Sequence, residues 1–413
     1  MTVNKSNETR FKHNFKIFIT FGILFELMNS FYMPFAIKFL ERVGGTEFDI
    51  SLFNSMKGLI MIFAVLPGVF YINRHDDKKK VTSNFVLIVT ILVLSLVVIP
   101  FLPGAIRPFS FILIMTLMTI PTSIYNASYQ NFTGDLFPVR RAQVIAKRSM
   151  YTIVFTTVFT LISGLIFKYV PKTDDQRLII YQIFFVLAFV LGLVAVYVFN
   201  KFDYSPAPTH KRYEFKGSFT RVFSNKRFKK FVLSSTIFHF GWQMGWPLFS
   251  IYMIKTLGAD ELWLAIINIG SASVMFLGHK IWPKMIDTYG NEKIATICTL
   301  GMALTPILYA LSPNLLVLTV VSTVTGFFTA GTITVLFSDM LEVTPTENRI
   351  VYVGYYNTAT NITLAISPFV GLFFLNRFGI VGALFITAGF RFIGGLAFYL
   401  RERSERKYLE KQQ

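Results

Sequence analysis

The 413 residues are 53% hydrophobic, 16% aromatic and only 15% charged, with a mean hydropathy of +0.54. That apolar content exceeds what a water-soluble surface tolerates, so the composition excludes a soluble enzyme and indicates a membrane protein. The formal charge of +18 comes from short Lys/Arg clusters between apolar runs, a pattern of basic loops on one membrane face that argues against nucleic-acid binding.

The opening MTVNKSNETRFKHNFK is basic, and the apolar run after it is longer than a signal-peptide core and has no small-residue cleavage site, so it reads as a cytoplasmic tail. A spanning helix needs about 20 mostly apolar residues. Twelve candidate runs follow, near 16–39, 50–72, 85–104, 109–133, 146–169, 178–200, 231–256, 261–281, 294–312, 315–338, 350–375 and 380–400. Residues 201–230, KFDYSPAPTHKRYEFKGSFTRVFSNKRFKK, form a polar basic linker, so the expected parts are a six-helix half over 1–200, the linker, a second half over 231–400 and a tail over 401–413. The only cysteine, Cys298, lies in an apolar run and offers no disulfide or paired metal chemistry.

Lys and Arg crowd the amino-terminal tail, 73–80, 137–148, the linker and 401–411, whereas the alternate connections carry few. Both termini are therefore expected on the cytoplasmic side of a cell membrane. The halves also repeat: Glu26 precedes Pro34 as His239 precedes Pro247, at an offset of 213. Asp135 and Asp339 end the fourth and tenth spans, followed respectively by Pro138 with Arg141 and by Pro345 with Arg349. Two parallel six-helix repeats place a binding site between the halves near the bilayer midplane.

Glu26, in GILFELMNSFY, is the polar group that most needs an explanation. A carboxylate at the centre of a span costs about 2.5–3.5 kcal/mol unless it is protonated, paired or wet. Counting from Ile17, Glu26 lies about 13 Å into the span. Asn29, Ser30 and Met33 share its helix face, and His239, Trp242, Gln243 and Trp246 form the equivalent face of the seventh span. Lys57, in the second span, is the first candidate partner, and a pair that forms and breaks would make Glu26 a proton-coupling group, with His239 its repeat counterpart.

Asp287-Thr288-Tyr289-Gly290-Asn291-Glu292-Lys293 matches the Asp-x-x-Gly core of a loop signature between spans eight and nine. The corresponding stretch between spans two and three, Asn73-Arg74-His75-Asp76-Asp77-Lys78-Lys79-Lys80, is a degenerate copy with Asn73 where the acid belongs. With the twelve spans, linker, charge bias and repeat, the chain resembles the major facilitator superfamily over nearly its whole length. The resemblance implies an all-α membrane fold of two pseudo-symmetric six-helix halves, in which helices one, four, seven and ten line a central cavity. By that implication Asn29, Tyr125, Asn126, Tyr129, Gln130, Trp242, Gln243 and Trp246 face substrate, with Thr325, Thr329 and Thr332 from helix ten and Asn357 and Asn361 from helix eleven. It further implies a cytoplasmic gate drawn from Arg74, Asp135, Arg141, Asp287, Gly290, Asp339 and Arg349. Arg391, in the peripheral twelfth span, is expected to be structural, held by backbone carbonyls or lipid phosphate. Helix four has no arginine and helix five lacks a Gly-Pro-rich pattern, which sets the chain apart from the drug/proton antiporter branch.

No HExxH, P-loop or Gly-x-Ser-x-Gly pattern occurs, so neither an enzyme nor a cofactor is expected. The expected function is secondary transport of a small solute by alternating access, coupled to protons or another ion, in a lipid-embedded monomer. The aromatic richness and the acid lean toward export of amphipathic or cationic compounds. Uptake of a sugar, peptide or other polar nutrient is the alternative, and a non-transporting membrane sensor or assembly protein is the reading from another class.

Overall fold

A computed structural model of the chain describes residues 2–137, 141–206, 218–345 and 349–410; among the side chains outside the description are those of Asn73 and Arg141. Among the described residues the secondary structure is helical, with no strand. Helix α1 (Thr2–Ser30) ends just before Pro34, which lacks an N–H to continue the ladder. The chain passes through a 3-10 turn at Met33–Phe35 and resumes as α2 (Ala36–Arg42). The first predicted span is thus two helices in series. The remaining helices of the amino-terminal half are α3 (Glu47–Arg74), α4 (Lys78–Ser95), α5 (Arg107–Leu136), α6 (Arg141–Tyr169) and α7 (Asp174–Phe199).

After the linker come the short α8 (Ser218–Ser224), α9 (Lys226–Ile251) with a π turn at Tyr252–Thr256, α10 (Glu261–Tyr289), α11 (Asn291–Ala310), α12 (Leu315–Val343) and α13 (Arg349–Glu410). Local sequence sets several of these starts. Asp77, Thr173, Asn225, Asp260 and Asn314 each accept the N–H three residues ahead, satisfying one of the donors that a helix start leaves free. Gly379, at φ 69°, joins two helices within α13, and Gly290, at φ 83°, makes the one-residue turn between α10 and α11. Both backbone angles favour glycine.

Ten helices among the described residues are long and apolar enough to cross a membrane. One of them, Val351–Glu405, holds two spans joined at Gly379, and α9, whose middle carries His239, Gln243 and Pro247, falls outside the set. With these the expected twelve spans are accounted for, and the protein is a multi-pass membrane protein. Hydroxyls in the spans are satisfied locally, as when Thr90 donates to the Val86 carbonyl at 2.8 Å and Thr299 to that of Ala295 at 2.6 Å. Such back-bonding suits an environment without water.

The chain forms two compact units, Met1–Gly45 with Phe63–Arg212, and Thr46–Ile62 with Tyr213–Gln413. The division therefore falls inside α3 as well as in the linker. The first part of α3 packs on α13, where Gly58 meets the backbone at Asn361, Leu364 and Ala365 so closely that a Cβ would collide. In the first unit, α1 packs against α6 and α7, and α4 against α5 and α7. Its core is aromatic, with Phe21 against Phe199 at 4.8 Å and Phe39 against Tyr181 at 4.9 Å between centroids. The second unit packs α9 and α11 on α13 and α10 on α12, around Trp282, Phe238, Met302 and the free thiol of Cys298.

Candidate functional site

Glu26 is paired, but with a residue that the sequence hides. Its Oε1 lies 3.4 Å from Nη2 of Arg148 on α6. Lys57, the expected partner, belongs to the other unit, and its ammonium stacks on the Phe53 ring, 3.6 Å from the centroid. Within its own unit the partner of Glu26 is Arg148. Helix α6 starts at Arg141, which sets Arg148 two turns, about 10 Å, into the helix. In the sequence it closes the basic run 137–148 and reads as a loop charge. The signal that could have exposed it is Gly22, one turn before Glu26 on the same face. A Cβ at Gly22 would overlap the Arg148 guanidinium, so the glycine leaves the room that the arginine occupies.

A cavity of about 250 Å³ lies beside the pair, with Phe18, Tyr125, Asn126, Tyr129 and Gln130 among its lining residues. That is just under the roughly 300–1,000 Å³ of drug-sized ligand sites and suits a small solute. The Arg148 guanidinium stacks over Tyr129 and Phe18, 5.4 and 5.6 Å from their centroids, a cation–π arrangement. Tyr125 stacks on Tyr129 at 5.4 Å. The structure thus brings together Glu26, Tyr125, Asn126, Tyr129 and Gln130 of the predicted residues and adds Arg148. Asn29 lies outside this lining, its amide oxygen accepting from the Tyr32 hydroxyl at 2.9 Å. Two donors on the cavity wall stay unused. Arg148 Nε is buried without a hydrogen-bond partner among the described residues. The buried Tyr129 hydroxyl, with Thr133 beside it, makes no well-formed hydrogen bond.

The other predicted substrate residues lie in the second unit. His239 is buried, and its Nδ1 is 2.8 Å from the Ser235 carbonyl; because a carbonyl only accepts, Nδ1 carries the proton and the ring is held in one tautomer. His239 packs on Trp242 at 5.4 Å, and Trp242 meets Trp246 edge-on at 6.3 Å. Gln243 accepts from the Thr363 hydroxyl at 2.6 Å, tying α9 to α13. Asn357 and Asn361 are half-buried on α13, one turn apart.

Arg391 on α13 is 1% exposed. It donates to the carbonyls of Gly241 at 3.2 Å, Trp242 at 3.0 Å and Met302 at 3.1 Å. The Met302 carbonyl is available because its helical partner would be the N–H of residue 306, which is a proline. Of the two expected anchors for this arginine, backbone carbonyl and lipid phosphate, the structure uses the carbonyl.

Three of the expected gate charges, Asp135, Asp339 and Arg349, find partners within their own units. Asp135 accepts from Lys78 at 3.0 Å and from the Tyr204 hydroxyl at 3.1 Å; burial, then the Asp135 carboxylate, raises the Tyr204 phenol above its usual range. Asp339 is fully buried, both oxygens taken by Arg401, one of them at 2.8 Å. Arg227 lies among Glu342 at 3.0 Å, Glu405 at 3.4 Å and Glu292 at 3.5 Å. Arg349 reaches the Leu341 carbonyl at 3.4 Å, while Asp287, Gly290 and Arg74 are exposed at helix ends. Arg141 falls among the side chains outside the description.

Solved structures share this architecture. The nucleoside transporter NupG matches with a TM-score of 0.72 at 13% identity, covering 94% of this chain and 99% of NupG. A bacterial homolog of the human lysosomal transporter Spinster, captured inward-facing and unoccupied, gives 0.68 at 12% identity over 96% of this chain and 98% of its own. The Escherichia coli fucose:proton symporter FucP gives 0.62 at 15% identity over 94% and 98%. At these identities the likeness establishes the fold alone. No curated protein matches the sequence significantly. The sequence profile of the Major Facilitator Superfamily matches residues 19–280 and again 231–413, and with twelve spans in two repeats and a polar cavity within the first, the chain belongs to that superfamily of transporters.

Proposed function

We propose that the protein is a proton-coupled secondary transporter of a small solute, working by alternating access with Glu26 as the coupling carboxylate. Family membership supports transport. The observation that carries the coupling is the Glu26–Arg148 ion pair on a cavity wall inside a span. The carboxylate and its counter-charge sit on two different helices, α1 and α6, so a change in helix packing can part them. The 3.4 Å separation exceeds the about 2.7–2.9 Å of a strong charge-assisted bond, so little has to be broken for the exchange. FucP, which carries fucose with protons by its name, is one structural neighbour consistent with such coupling.

Because Arg148 balances Glu26, the acid no longer argues for cationic cargo. The aromatic walls remain the support for an amphipathic solute and for export. The charge bias of the loops supports cytoplasmic termini in a cell membrane, with Asp287, Gly290 and Arg349 at the cytoplasmic gate and His239 and Lys57 as secondary proton groups. The test starts with a thermal-shift ligand screen on purified protein at about pH 5.5 and 7.5, followed by flux of the hit in liposomes bearing a pH gradient. Glu26→Gln is expected to keep folding and ligand binding while losing the response to the gradient. Flux that remains gradient-driven in that variant sinks the coupling role.

A further inference from the structure

We infer that Arg148 anchors the substrate in the first-unit cavity and that the substrate is an organic anion, a carboxylate or phosphate carried on a flat apolar body. The argument starts from the donors of one side chain. A guanidinium has five N–H groups in a planar fork. Among the described residues Arg148 makes one hydrogen bond, to Glu26 at 3.4 Å, and its buried Nε has no partner. A buried donor left unmade is costly, and the Arg148 side chain lines a cavity of about 250 Å³. Carboxylate and phosphate oxygens match the guanidinium fork in charge and geometry.

The rest of the wall fits the same ligand. The Tyr129 hydroxyl, buried and without a well-formed hydrogen bond, supplies a second donor. The rings of Phe25, Tyr125 and Tyr129 are packed in series, with centroids 4.6 and 5.4 Å apart, and offer flat apolar surface to the body of the molecule. Glu26 is the only carboxylate among the lining residues, and it is already engaged by the arginine that the ligand would take.

A consequence is competition. An incoming anion competes with Glu26 for Arg148, and the coupling role proposed above makes the released carboxylate the group that carries the proton. This linkage rests on the coupling role proposed above for Glu26, whereas anchoring by Arg148 does not.

The test is isothermal titration of the purified full-length protein at pH 7.5 with phenylacetate, phenyl phosphate, 2-phenylethylamine and 2-phenylethanol, repeated in buffers of different ionisation enthalpy. At least one of the anions is expected to bind roughly tenfold or more tightly than the amine and the alcohol, which corresponds to one charged hydrogen bond. Arg148→Gln is expected to lose that preference and Arg148→Lys to restore part of it. Glu26→Gln is expected to bind the anion more tightly and to abolish the proton uptake that accompanies wild-type binding. The phenylacetate and phenyl phosphate arms separate carboxylate from phosphate cargo. Binding of the amine or alcohol as tight as both anions, binding of neither anion, or unchanged anion affinity in Arg148→Gln overturns the anchor. Gradient-driven flux that survives Glu26→Gln overturns the coupling alone and leaves the anchor standing.

Discussion

Arg148 and Arg391 both place a guanidinium inside a span, and the two units treat it in opposite ways. Arg391 is 1% exposed and spends its donors on three backbone carbonyls, with Phe249 under the cation at 5.0 Å. Arg148 keeps 15% of its side chain exposed, has among the described residues one long hydrogen bond, to Glu26, and lines open volume. Arg401 is a third case, locked to Asp339 in a fully buried pair. An arginine each of whose nitrogens meets a fixed acceptor belongs to the fold. An arginine with donors to spare beside a cavity is arranged to change partner.

Stability measurements on detergent-purified variants sharpen that contrast. The largest loss is expected for Asp339→Ala, which leaves the buried Arg401 guanidinium with Glu405 at 3.0 Å as its remaining carboxylate and should lower unfolding free energy by about 3 kcal/mol; a near-native melting temperature would mean that this pair does not hold α12 to α13. Arg391→Met comes next, at about 1–3 kcal/mol, because the Met302 carbonyl above Pro306 loses its donor. Any transport defect in that variant should track the fraction of folded protein, and loss of flux at full folding would transfer Arg391 to the functional side of the comparison.

Arg148→Gln is expected to cost less than about 1 kcal/mol, as for other partly exposed, loosely paired charges, yet to abolish coupled flux in liposomes. A large drop in melting temperature without a specific flux defect would make Arg148 a structural arginine like Arg391. The smallest stability effect is expected from Gly22→Ala. Removing a helical glycine favours the helix by up to about 1 kcal/mol, while the new methyl pushes the guanidinium from its seat. Melting should be unchanged or slightly higher and coupled flux reduced; flux at the wild-type level would show that the space beside Gly22 is not needed.

The spans, the linker, the basic face and the Asp287–Gly290 turn were legible in the sequence because each depends on local information: about 20 apolar residues, a run of charge, a turn residue. Helix starts at Asp260 and Asn314 follow from their own side chains. Glu26 was also legible as an anomaly, since a carboxylate in an apolar run must have an escape. What the sequence did not disclose is which escape. Lys57 seemed the nearest cation by depth, but the first part of α3 packs with the second unit, whereas α6 packs on α1 and carries Arg148 inward from what reads as a loop. The Met302 carbonyl likewise becomes an acceptor for Arg391 only when α11 and α13 meet. Hydropathy and capping are properties of a segment, fixed within a turn or two of helix. The partner of a buried charge is decided at about 3 Å by which helices lie side by side, and that is settled by packing between segments distant in the chain.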